Sequence, residues 1–302
     1  MTSSLVEFSN NLADTVERAG ASVIAVLEGG REGVSGTVWR DGLAVTAEHT
    51  IRGREEITII LPSGERSSAK VTGRDPGTDI ALLKFEKHAV PATLADESLS
   101  RVGEVVLAVG RRGTEGLATT HGIVSAISGP WRTWQGARID RWLRLDLTPF
   151  TGFSGGPIVT ARGEVLGIAT SGPRRSVVTI PCSTVARVAD QLLHRGRIAR
   201  GYLGVGVQPV ALPESARQAL GTEAAHGLLV ITVEPGSSAT NANILIGDII
   251  VAIEGTPVRS VRSLHNALDP ENVGKALTIE LLRAGKLHKV SVTVGERPER
   301  SS

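Results

Sequence analysis

The chain has 302 residues, 41% of them hydrophobic and 21% charged, which is enough for two ordinary globular cores. Lys and Arg number 33 against 31 Asp and Glu, and aromatics are 3%, a balance that argues against nucleic acid as a partner. Cys182 is the only cysteine, so an intrachain disulfide and a cysteine-rich metal site are both excluded.

The elements follow in chain order. Leu5, Phe8, Leu12, Val16 and Ala19 recur at spacings of three and four, which predicts an amphipathic helix over 4–19. Its stripe can bury against the chain's own β structure or against a second subunit. From residue 21 the pattern turns to short apolar runs split by glycine and charge, at 22–27, 36–39, 44–46, 57–61, 69–73, 80–85, 105–109, 119–127, 142–147, 157–160, 164–169 and 177–180. Strands this short and this regularly spaced predict an all-β barrel pair or sandwich. A helix over 183–195 follows, with Ser183 or Thr184 expected as its cap and Gly196 past its end. After a linker at 196–201 the mixture changes. Strands are expected at 203–207, 228–233, 249–253, 277–282 and 288–294, and helical segments at 213–220, 238–243 and 260–268, an α+β module. The longest early apolar run, 23–27, is far too short to cross a membrane, and no basic leader precedes it. As written, the chain reads as cytoplasmic, with the cell envelope as the alternative if a leader or anchor has been removed.

The chemistry centres on Thr151-Gly-Phe-Ser-Gly-Gly-Pro157. Glycines on both sides can hold the Ser154 hydroxyl exposed and aim the amides of residues 152 and 154 at one point, as the negative oxygen of an acyl-transfer intermediate requires. Alone, such a loop is as well explained as a glycine-rich hairpin. Upstream, His49 ends the apolar run 43–45, a natural place to present an imidazole. Asp79 opens the apolar run 80–83, where a partly buried carboxylate needs a hydrogen-bond donor such as an imidazole N–H. Asp75, beside Pro76 and Gly77, reads as a turn former. No His-Glu-x-x-His or clustered Cys/His spacing is present, so no metal is expected.

With Ala44-Val-Thr-Ala-Glu-His49, Asp75-Pro-Gly-Thr-Asp-Ile-Ala-Leu-Leu-Lys84, Gly122-Ile-Val-Ser-Ala126, Gly152-Phe-Ser-Gly-Gly-Pro157 and Gly201-Tyr-Leu-Gly-Val205, the sequence resembles the HtrA/Deg family over roughly residues 20–295. The resemblance implies a mainly β fold, a trypsin-like double β-barrel followed by an α+β PDZ domain. Its expected boundaries are an N-terminal segment 1–20, a protease domain 21–195, a linker 196–201 and a PDZ domain 202–298. It implies Ser154 as nucleophile, His49 as base, Asp79 as orienting carboxylate, and an oxyanion hole at Gly152, Phe153 and Ser154. It also implies that Tyr202, Leu203, Gly204 and Val205 receive a peptide's C-terminal carboxylate. No cofactor is implied. Unfolded polypeptides are the implied substrates, ATP is not needed, and the family's habit suggests a homotrimer.

Departures from the family pattern lie at Phe153 and Phe150, where asparagine is usual, and in the short loop 174–179. Ser176, Val177 and Val178 would line the S1 pocket and favour small or medium aliphatic P1 residues. Two readings from other classes stay open. One is a chaperone-like or peptide-binding protein with a poorly formed protease site, and the other a PDZ-centred adaptor.

Overall fold

The computed structural model describes residues 3–27, 33–113, 115–133, 135–172, 176–214, 217 and 225–297. The chain divides into two compact units, Met1–Ile198 and Ala199–Ser302.

The first unit opens with helix α1 (Ser4–Gly20), capped by the Ser3 hydroxyl, with Glu7 in its first turn and Arg18 in its last, both matched to the helix dipole. Its stripe is only half used. Leu12, Val16 and Ala19 pack on the unit's own core, whereas Leu5, Val6 and Phe8 stay exposed.

Strands β1 (Val23–Leu27), β2 (Val34–Arg40), β3 (Leu43–Ala47), β4 (Glu56–Ile60), β5 (Arg66–Asp75) and β6 (Ile80–Lys84) close into an antiparallel barrel in the order β1-β2-β3-β6-β5-β4. Side chains alternate across each strand. Ala44, Ala81 and Leu83 fill the barrel, while Leu43, Val45, Ile80 and Leu82 point outward into a second apolar cluster. Burial on both faces is why these strands read as unbroken apolar runs.

A further set, β7 (Val105–Arg111), β8 (Leu117–Ser128), β9 (Trp131–Arg132), β10 (Arg138–Ile139), β11 (Trp142–Leu147), β12 (Pro157–Thr160), β13 (Val165–Ser171) and β14 (Val177–Pro181), follows. Six of these form a sheet in the order β11-β8-β7-β12-β13-β14, and β9 pairs only with β10. The sheet curls until β11 and β14 lie beside each other, but no ladder joins them, so hydrogen bonds close only the first of the two expected barrels.

Helix α2 (Cys182–Arg195) then packs on β5, β6, β13 and β14. Its cap differs from expectation. Pro181, whose ring has no acceptor, holds the N-cap position without a side-chain bond, and the Thr184 hydroxyl is engaged with Asp140 instead, accepting its amide proton at 2.8 Å and donating to its carboxylate at 3.1 Å. Gly196, at φ +70°, ends the helix as expected.

The second unit contains β15 (Gly201–Tyr202), β16 (Val205–Ala211), β17 (His226–Val233), helix α3 (Ser238–Asn241), β18 (Ile249–Ile253), β19 (Thr256–Pro257), helix α4 (Val261–Ala267), β20 (Ala276–Arg283), β21 (Lys286–Thr293) and β22 (Gly295–Glu296). Its sheet runs β16-β17-β18-β20-β21 over a core of Leu203, Leu228, Val230, Ile250, Leu264, Ile279 and Leu281, leaving β16 as an edge. The helix expected over 213–220 lies mostly outside the described residues.

Candidate active site

Register places the first two candidates. Ala47 on β3 pairs with Ile80 on β6, so the residues just after 47 and just before 80 emerge side by side at one end of the barrel. A 3-10 turn, Glu48–Thr50, carries His49 there. The Asp75 carboxylate accepts from the Gly77 and Thr78 amides and the Thr78 hydroxyl, turning the chain as a turn former should. Asp79 leaves that turn in the left-handed region, at φ +60°. Its carbonyl accepts from Glu48 N–H at 3.1 Å. Its Oδ1 accepts from the His49 amide at 2.8 Å, and its Oδ2 lies 2.7 Å from His49 Nδ1. The imidazole is therefore held by both backbone and ring.

A third donor reaches the same carboxylate. The Thr170 hydroxyl, from β13 in the other sheet, donates to Asp79 Oδ2. Thr170 was not singled out by the sequence, where it is merely a hydroxyl near the end of an apolar strand. Burial pushes the Asp79 carboxyl up, but the bonds from the His49 ring, Thr170 and the His49 amide outweigh it and hold the carboxyl below its ordinary range. The hydrogen bond to Asp79 raises the His49 imidazole above its ordinary 6.5, against the opposing effect of burial.

Ser154 sits on the loop between β11 and β12, beside the strand β13 that sends Thr170 to Asp79. Its Oγ lies 3.3 Å from Ser171 Oγ, and among the described residues it has no other hydrogen bond, to His49 included. Gly152 stands at φ +87°, and neither its amide nor that of Ser154 donates to any acceptor among the described residues. The Phe153 amide does not join them, since it points at the Phe150 carbonyl at 3.4 Å. The Phe153 side chain is buried with Val106, Ile158 and Ala169, edge-on to Phe150 with ring centroids 6.0 Å apart. The bulky residue before the serine thus fills core, and Ser154 itself is buried, at 6% exposure, where the sequence predicts an exposed hydroxyl.

The three residues expected to line S1 do not act together. Alternation along β14 sends Val177 into the cluster with Phe150 and Phe153, and Val178 into the opposite one with Ile168 and Ile180, while Ser176 is exposed. Only Val177 shares a cluster with the serine loop.

In the second unit, Leu203 is buried and Gly204 turns at φ +80°. The Leu203 and Gly204 carbonyls accept from Ala239 and Glu234 N–H, each at 2.8 Å. Their amides meet no acceptor among the described residues. Tyr202 pairs with Gly295, and Val205 begins the edge strand β16, beside which α4 packs. Among the described residues, no group of His, Cys, Asp and Glu is arranged to hold a metal, and no helix is long and apolar enough to cross a membrane.

Comparison with known proteins follows this division. Residues 34–168 match the trypsin-like peptidase domain and residues 201–294 the PDZ domain. A probable periplasmic serine endoprotease, DegP-like, of Rhizobium meliloti (strain 1021) is 34% identical over 274 residues, 86% of this chain and 52% of that protein. The fold of an HtrA-type protease AlgW with decapeptide superposes at a TM-score of 0.76 and 26% identity, covering 95% of this chain and 99% of that one. The chain belongs to the HtrA/Deg family of serine proteases.

Other family members agree. The DegP-like endoprotease of Halomonas elongata is 32% identical over 266 residues, 86% of this chain and 55% of that protein. A serine endoprotease from Yersinia pestis superposes at 0.76 with 28% identity, over 95% of this chain and 98% of that one. The chain spans about half the length of the curated HtrA/Deg relatives it matches. These relatives are named periplasmic, which overturns the expectation of a cytoplasmic protein. That expectation came only from the lack of a visible leader.

Proposed function

We propose that this chain is an ATP-independent serine endopeptidase that cleaves unfolded or misfolded polypeptides in the periplasm. The observation that carries the reading is the doubly held His49–Asp79 pair, tied through Thr170 to the strand whose Ser171 bonds Ser154, on a loop whose 152 and 154 amides meet no acceptor among the described residues. Ser154 Oγ turns from Ser171 to His49 Nε2, gives up its proton and attacks the scissile carbonyl. Asp79 keeps the proton on Nδ1 and steadies the imidazolium that forms. The Gly152 and Ser154 amides take the developing oxyanion, and His49 then protonates the leaving amine. In the PDZ domain, the Leu203 and Gly204 amides receive a C-terminal carboxylate while the peptide adds as a strand along β16. Exposed Leu5, Val6 and Phe8 support a homotrimer, to be read as mass by light scattering. Val177, packed with Phe153, supports small or medium aliphatic P1 residues.

Fluorophosphonate labelling and casein digestion test this. Wild type is expected to label and to digest casein, Ser154→Ala to do neither, and a hydrophobic C-terminal peptide to raise the labelling rate. Cleavage sites mapped in the digest read P1. Folded wild type that never labels would point to a binding or chaperone-like protein.

The raised His49 sets the pH dependence. The base must be neutral, so kcat/KM is expected to climb with pH through an apparent pKa above 6.5. The linked stability runs the other way. The contribution of protonated His49 is complete below the unfolded imidazole value and fades as pH rises through the folded one. A rate profile with its acidic limb below the ordinary imidazole value would contradict the geometry.

A further inference from the structure

Ser35, on β2 of the barrel, is fully buried and is not a member of the triad, yet three of its groups bear on the serine loop or its neighbours. Its amide donates to the Ser154 carbonyl at 3.1 Å. Its hydroxyl donates to the Gly152 carbonyl at 2.7 Å and accepts from Arg111 N–H at 3.0 Å. Its carbonyl accepts from the Thr46 hydroxyl at 2.8 Å. Arg111 is itself anchored, its guanidinium donating to the carbonyls of Val23 at 2.7 Å and Gly20 at 3.1 Å.

We infer that Ser35 is a positioning residue for the oxyanion hole, a step that rests on the hydrolase reading above. A peptide group is a rigid plane, so holding its carbonyl fixes the direction of everything attached to it. Ser35 holds two alternate planes of the loop. Its hydroxyl grips the plane joining residues 152 and 153, and its amide grips the plane joining 154 and 155. Between them lies the plane that carries the Ser154 N–H, whose carbonyl, from Phe153, is tied to Gly156 N–H at 2.9 Å. The plane carrying the Gly152 N–H adjoins the first. Glycine at 152 can turn this plane through a wide range of angles, because it lacks the Cβ that restricts other residues. The Ser35 hydroxyl removes that freedom on the carbonyl side, so the two donors converge before substrate arrives.

The test compares Ser35→Ala with Thr37→Val. The Thr37 hydroxyl makes a bond of the same kind from the same strand, to the Gly155 carbonyl at 3.0 Å, but that peptide group carries neither donor. Active sites are counted by fluorophosphonate titration, and kcat and KM are measured per titrated site on a fluorogenic peptide. Affinity for a peptide boronic acid, whose tetrahedral adduct occupies the hole, is measured beside affinity for the corresponding peptide acid, which forms none. For Ser35→Ala, kcat and boronate affinity are expected to fall together by about 10- to 100-fold, less than the loss of a direct donor, with KM and acid binding unchanged. Thr37→Val should keep its per-site kcat within about threefold of wild type, its lost bond costing stability instead. A Ser35→Ala enzyme with normal per-site kcat, or equal losses in both variants, would overturn the assignment. Wild type that never labels would instead refute the hydrolase reading and take this one with it.

Discussion

Asp79→Asn is expected to lower kcat by about 10⁴-fold without unfolding the protein, the size of effect that exchange has in Ser-His-Asp enzymes. The reason is a shortage of acceptors. Three donors converge on the carboxylate, the His49 amide, the His49 ring and the Thr170 hydroxyl. Asparagine offers one oxygen to the three. If that oxygen serves the His49 amide, the side-chain NH2 faces Nδ1, and the imidazole must move its proton to Nε2. A protonated Nε2 cannot accept the proton of Ser154. Asparagine also tolerates the left-handed backbone at position 79, so the turn should survive. The check is kcat on a fluorogenic peptide beside a thermal melt. A loss below tenfold would show that Asp79 does not set the His49 tautomer, and a collapse of the melt that it also holds the fold.

Gly155→Ala is expected to damage both site and fold. A Cβ there would lie 2.1 Å from the Ser35 carbonyl oxygen, 2.6 Å from Thr46 Oγ1 and 3.0 Å from the Ala47 amide, and φ is +85°. Two of those neighbours are backbone of the barrel and cannot swing aside. Left-handed strain and overpacking together cost about 2–5 kcal/mol. Moving the loop to relieve them would separate Ser154 from His49. A lower melting temperature and loss of fluorophosphonate labelling are the paired readouts. An unchanged melt with full labelling would mean that the loop has slack the structure does not show.

Much of this was legible in the chain. The runs at 44–46 and 80–85 announce β3 and β6 because both faces are buried, and their flanks carry His49 and Asp79. The glycines around Ser154 are legible for the same reason that Gly155→Ala should fail, since backbone passes where a Cβ would be. Thr170 and Ser35 were not. Each is an ordinary small polar residue in a strand, and its meaning lies in a partner 91 or 117 positions away. The hairpin of β9 and β10 is silent in the sequence because two-residue strands have no periodicity to read. Val177 and Val178 enter different clusters because adjacent strand residues cannot share a face, which a run of like residues does not reveal.

The groups of the site are divided between two sheets. His49 and Asp79 belong to the closed barrel, and Ser154, Thr170 and Ser171 to the open one. Each sheet has its own ladder, so a small shift of one against the other leaves both ladders intact. Turnover therefore gauges the alignment of two bodies more finely than any melting curve. Lesions in the packing between them should lower turnover before they lower stability. For such a protein, inactivation can precede denaturation and be reversed without refolding.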